Sequence, residues 1–298
     1  MTIFFALLAA CSNALNVVTQ HKASISSPLR AKGMKLVAYL IHSPLWLFGW
    51  LAQAGAFIFQ AVALHNGLIS VVQPLLVTEL VFALVLRSVW IHQKIRPVTW
   101  WSAGVTCVAL ALFISAAEPT GGSDVPTSHA WLSASLFIAG CVTVLTLLGW
   151  LWHGSAGRRA ALLGAAASML WAFDAVVIKA TTDTLSEFGF SGLFTHWPVY
   201  AVIVVSIAAE FLTQAALHVG PLSVSQPFIV IVDPIVSIIL SIWIFGETFT
   251  ANTPRLLLGS ISFATMCGAV VVLTRTAPAT MDPDVEVAVA AAPEPAPG

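Results

Sequence analysis

The sequence predicts an all-α integral membrane protein of about nine transmembrane helices. They fall into two inverted repeats, spans 1–4 and spans 6–9, with span 5 as connector. Three observations predict this: an extreme apolar composition, a one-sided distribution of Lys and Arg between loops, and a twelve-residue motif that occurs twice. Of 298 residues, 58% are hydrophobic and 8% are charged, where a soluble domain carries about 25% charged residues. Each long apolar run reaches the roughly 20 residues that a helix needs to cross a bilayer. Backbone groups in hydrocarbon must bond within their own segment, which selects helices. Barrel strands would show as alternating runs of about ten residues, and these runs are longer and continuous.

The spans are expected at 3–21, 44–64, 68–90, 98–117, 131–151, 160–180, 197–217, 221–244 and 256–274. The first lacks the basic leader of a signal peptide and contains Asn13, Asn16 and Gln20, so it is read as a retained span. Pro44, Pro97 and Pro198 stand at span starts, where a missing N–H does no harm. Residues 34–43 are apolar and precede Pro44, which suggests a short interfacial helix. The segment 118–130 reads as a polar, turn-rich loop. The chain therefore divides into a first transmembrane repeat (1–117), an outer loop plus span five (118–157), an inverted second repeat (158–275) and a disordered cytoplasmic tail (276–298) rich in Pro and Ala.

Charge placement gives an orientation. Lys22, Arg30, Lys32, Lys35, Arg87, Lys94, Arg96, Arg158, Arg159 and Arg275 all fall on one side if the N-terminus is outside and the C-terminus inside. Only Lys179 and Arg255 fall on the other side. The expected location is the cytoplasmic membrane, multi-pass. Trp46, Trp50, Trp100, Trp101, Trp150 and Trp152 cluster near span ends as an aromatic belt. Gly49, Gly55, Gly104, Gly164 and Gly268 are read as close-packing positions between helices.

The internal repeat is the most specific signal. Ala63 to Pro74 reads ALHNGLISVVQP, and Ala216 to Pro227 reads ALHVGPLSVSQP. Trp90 and Trp243 continue the same offset. The halves also begin alike, ALLAA at 6–10 and ALLGA at 161–165, and Lys22-Ala23 corresponds loosely to Lys179-Ala180. A spacing of five spans turns the second copy upside down. Inverted repeats around a midplane site are the plan of many secondary transporters.

Within this plan, the residues that carry chemistry are few. Pro74, Pro227 and Pro234 each remove a helical hydrogen bond and free the carbonyls of Ser70, Ser223 and Val230. Glu79 and Asp233 lie mid-span and are nearly repeat-equivalent, while Asp174 and Glu210 lie inside spans six and seven. A carboxylate at the bilayer centre costs roughly 2.5–3.5 kcal/mol or more, so all four are expected to face the bundle interior. Ser223, Gln226, Asp233, Ser237 and Ser241 form one polar stripe; Glu210, Gln214 and His218 form a second; Asn13, Asn16 and Gln20 form a third. The expected substrate or ion pathway is Glu79, Asp233, Gln73, Gln226, Asp174, Glu210, Gln214, Asn13 and Asn16. Interhelical hydrogen bonding is the competing reading of the same residues. His65 and His218 stand at turns near opposite faces and read as cap or interface residues. Cys11, Cys107, Cys141 and Cys267 sit in apolar runs without CxxC spacing and read as small core residues. There is no P-loop, dinucleotide fingerprint, HExxH or nucleophile elbow, so no ATP-driven step, cofactor or enzyme activity is expected. A net charge of −1 gives no basic field for nucleic acid.

The repeated ALHxGxxSVxQP turn, with Gly246-Glu247 at the end of span eight, resembles the drug/metabolite transporter superfamily. The nearest branches are the EamA-like proteins and the NIPA-type magnesium transporters, in the style of uncharacterised actinobacterial members. The resemblance covers residues 3 to 274. Gln93-Lys94 stands where the first half would repeat the Gly-Glu. The expected function is a secondary transporter moving a small solute, a metabolite or drug-like molecule, by alternating access with proton or cation coupling. The alternative is a divalent-cation (magnesium) transporter of NIPA-like type, and a distant one is an intramembrane lipid-modifying enzyme. The expected partners are the bilayer and a small-molecule or ion substrate, and a homodimer is compatible with the plan.

Overall fold

The computed structural model describes residues 1–25, 43–92, 94–122, 126–151, 155–220 and 222–277, with backbone alone at 21, 23–25 and 222–224. The chain is an all-α membrane protein. Among the described residues, nine helices are long and apolar enough to span a bilayer. In order they are α1 (Thr2–Ile25), α2 (Pro44–His65), α3 (Ile69–Leu76) with α4 (Glu79–Trp90) as one interrupted span, α5 (Pro97–Ala117), α6 (Ser128–Leu151), α7 (Ala156–Thr195), α8 (Pro198–Val219), α9 (Leu222–Leu240) with a π-helical turn (Ser241–Phe245), and α10 (Thr253–Thr276). Each predicted span finds its helix, and α7 runs well beyond the expected 160–180 before bending at Gly189, whose φ is +67°. The expected interfacial helix at 34–43, except Ser43, and the tail from 278 onward lie outside the described residues.

Local sequence sets the helix ends. Proline occupies the first turn of α2, α5 and α8, where its fixed φ favours the helix and its missing N–H removes no bond. Asn252 caps α10, its side chain accepting from the Arg255 amide at 3.2 Å. Pro74 does not break its helix at once. The interruption comes at Val77 and Thr78, where the amides turn to carbonyls three residues back, Pro74 and Leu75. α9 carries both Pro227 and Pro234 and stays helical until the π turn, which Gly246 ends in the left-handed region at φ +67°. Beside the carbonyl that Pro234 frees, Ser168 of α7 donates to the Ile229 carbonyl at 2.7 Å, so part of the loosened backbone is held by a neighbour.

The loop expected at 118–130 does more than turn. Pro119–Gly121 (β1) pairs antiparallel with Glu247–Phe249 (β2), joining the ends of α5 and α9. This end of the bundle is called the strand end below. Arg255 bonds Glu118 beside it.

Helix packing follows the halves for the first three spans of each and joins the halves at the last. α1 lies along α2 and against α3 and α4, α7 lies along α8 and against α9, and α5 packs along α10. Two glycines fix corresponding turns. A Cβ on Gly67 would collide with Thr2 at the start of α1, and a Cβ on Gly220 would lie 2.6 Å from the Ala156 carbonyl oxygen at the start of α7. In each half, the turn after the second helix nests on the first residues of the first helix. Gly49 and Gly164 bring helices close as expected, whereas Gly104 and Gly268 have open space around them. Gly104 instead lines an apolar groove of about 480 Å³ between α5 and α10.

Candidate functional site

The candidate site is built on three acids from three membrane-spanning helices, linked by electrostatic influence and not by direct contact. Glu79 opens α4 just after the break in span three, Asp233 precedes Pro234 in α9, and Asp174 lies in α7. Glu79 and Asp174 both act electrostatically on Asp233. Each acid has a polar neighbour: Asn13 hydrogen-bonds Glu79, Ser206 donates to Asp174 at 2.9 Å, and Ser237 donates to Asp233 at 3.1 Å. The only ion pairs among the described residues are His65–Asp183 and Arg255–Glu118, so no Lys or Arg pairs with these three acids. Buried polar atoms without hydrogen-bond partners include Asp174 Oδ1, Asn13 Oδ1 and Gln73 Nε2. Asp174 and Gln73 are each 2% exposed. Buried polar atoms are almost always satisfied in proteins, so each of these three has capacity to engage a further group.

The remaining pathway residues divide. Asn16 of α1 bonds Gln53 of α2 and receives Gln20 on its Oδ1, a network that ties α1 to α2. Gln226 is half-buried in α9, and the side chain of Ser223 in the same stripe lies outside the described residues. Glu210 and Gln214 correct an expectation. They are exposed on α8 beside Ile207 and Phe211, at 66% and 61% exposure, and Gln214 donates to Glu210 at 2.7 Å. Val202, Ala209, Leu212 and Ala216 are the buried face of α8. A four-residue spacing shows that Glu210, Gln214 and His218 share a face, not which way that face points. Arg87, counted as a flanking charge, is 7% exposed near the end of α4, and its Nε has no hydrogen-bond partner. Among the described residues, no three His, Cys, Asp or Glu side chains converge as a metal site. The four cysteines are free.

A second constellation, at the strand end, was missed as a unit. Glu247 is 1% exposed, and its two oxygens accept the amides of Ile69 at 2.8 Å and Ser70 at 3.1 Å. These are the first two amides of α3, whose N-cap, Leu68, offers no side-chain acceptor. Lys179 is 8% exposed, and its ammonium donates to the carbonyls of Leu64 at 3.0 Å and Gly67 at 3.4 Å. Leu64 lies in the last turn of α2. Two opposite charges from the second half thus grip one turn of the first: the cation takes the carbonyl end of α2 and the anion the amide end of α3. Both match the helix dipoles. Phe245 lies 5.6 Å under the ammonium, and Trp131 packs edge-on against Phe245, Phe173 and Trp197. His65 approaches Asp183 at 3.7 Å on the rim. Lys179 and Arg255, the two basic residues outside the charge alternation, are therefore each engaged, one by carbonyls and one by Glu118. The sequence held one clue, the Gly246-Glu247 pair after a span, with nothing to name its partner.

Comparison with known proteins adds a relative without a function. The chain is similar to an uncharacterized protein of Corynebacterium glutamicum, 26% identical over 285 residues that cover 93% of this chain and 96% of that protein. No family model matches the chain, and no solved structure matches it.

Proposed function

We propose that this chain is a secondary transporter that carries a small solute across the cytoplasmic membrane by alternating access, with its N-terminus outside and its C-terminus inside. One observation carries the reading: Glu79 and Asp174, from different halves, both act electrostatically on Asp233, and among the described residues no Lys or Arg pairs with any of the three. Negative charges held in hydrocarbon without a counter-charge are costly and mark ion or substrate pathways. A proton or a cationic group that arrives and leaves supplies the missing charge, which couples cargo to protons or cations. The inverted-repeat plan is supported by the twin glycine turns and by α1–α2 and α7–α8 packing as corresponding pairs. Rocking of one half against the other would then expose the carboxylates to each side in turn.

The magnesium reading has less support, because no metal-holding group occurs among the described residues. The test is transport in proteoliposomes loaded with a pH-sensitive dye, with a panel of metabolites and organic cations supplied outside. Wild type should give solute-driven proton movement. Glu79→Gln and Asp233→Asn should each abolish it. Wild-type flux and pH dependence in both variants would remove the carboxylates from the mechanism.

A further inference from the structure

The grip on the 64–70 turn has a counterpart position at the other end of the bundle. Lys22, near the end of α1, stands 4.6 Å over the ring of Trp90 at the end of α4. Lys179, in α7, stands 5.6 Å over Phe245 at the end of the α9 span. Each ammonium thus rests on an aromatic ring that closes the third span of its own half. At the strand end, Lys179 also reaches the Leu64 and Gly67 carbonyls of the other half. The motif positions matching Leu64 and Gly67 are Leu217 and Gly220, and Gly220 nests on Ala156 as Gly67 nests on Thr2.

We propose that Lys22 is the lock of the opposite face: when that face closes, its ammonium leaves Trp90 and takes the Leu217 and Gly220 carbonyls of the second half. This rests on the alternating-access reading above. The two locks are unequal. Lys94 occupies the position that matches Glu247, and a cation cannot accept amides at a helix N-terminus. The opposite face therefore closes with the cation alone, while the strand end closes with both charges. The strand-end-closed form described here is the resting form for that reason. A charge at a helix terminus contributes most in partly buried geometry, so the missing carboxylate biases the two forms by up to about thirtyfold.

The experiment uses the full chain in liposomes with its four cysteines replaced by alanine. Spin labels go on Asn66 and Ser186 to report the strand end, and on Val89 and His218 to report the other. Glu247→Gln should lengthen the first distance and shorten the second in a new population. Adding Lys22→Gln should suppress that population by about fivefold. Lys94→Glu alone, a change at an exposed residue, should raise it by supplying the missing carboxylate. If every variant keeps the wild-type distances, the alternating-access reading itself fails. If Glu247→Gln shifts both distances but Lys22→Gln leaves the shift intact and Lys94→Glu does not enlarge it, the lock at Lys22 is wrong and alternating access stands.

Discussion

Replacing Glu247 with alanine should cost this protein more stability than removing any exposed charge. The carboxylate is 1% exposed and holds two amides, those of Ile69 and Ser70. Its loss leaves two buried donors without partners, each costing about 1–3 kcal/mol. Relief of the carboxylate's own desolvation offsets part of this, so the net loss is about 2–4 kcal/mol. At about 2–4 °C per kcal/mol, as for chains somewhat shorter than this one, the unfolding midpoint should fall by about 4–16 °C. Tryptophan fluorescence reads it directly, because Trp131 and Trp197 pack in the cluster that includes Phe245. Glu247→Gln keeps one acceptor and should fall in between. Glu118→Ala is the control: it removes an ion pair whose side chains are 43% and 57% exposed, worth about 0–1 kcal/mol. An unchanged midpoint for Glu247→Ala, or equal shifts for Glu247→Ala and Glu118→Ala, would refute the capping argument.

Three further outcomes are expected. Gly220→Ala should destabilise more than Gly67→Ala, because its new methyl meets the Ala156 backbone while that of Gly67 meets the Thr2 side chain; Thr2→Ala should rescue Gly67→Ala alone, as measured by thermal midpoints. Glu210→Gln should leave solute-driven proton flux intact in the proteoliposome assay, because Glu210 lies on the exposed face of α8. Single cysteines at Thr120 and Arg158, in the cysteine-free chain, should label from outside the cell and from inside respectively with an impermeant maleimide; the reverse pattern would invert the topology.

The spans were legible because hydrocarbon imposes one strong, local requirement, about twenty apolar residues that bond their own backbone. Pro44, Pro97 and Pro198 marked starts for the same local reason. The carboxylates Glu79, Asp174 and Asp233 were also visible, since acids in apolar runs are conspicuous. What spacing could not give was direction. Glu210 and Asp174 look alike in sequence, yet one is exposed and the other is 2% exposed. That difference is set by which faces of α7 and α8 pack, a tertiary fact. The clamp was illegible for a related reason: Glu247 and Ile69 are 178 positions apart. Lys179 read as a stray charge because the carbonyls that satisfy it carry no side-chain signature.

The distance between Glu247 and its amides also bears on biogenesis. A ribosome that has released Ile69 into the bilayer must add 178 more residues before the acceptor for that amide exists. At about 5–20 residues per second, α3 waits roughly ten to thirty-five seconds with its first turn uncapped. A chain truncated before Glu247 never gains that acceptor, so the cap on the third span depends on completion of the eighth and of the turn that follows it.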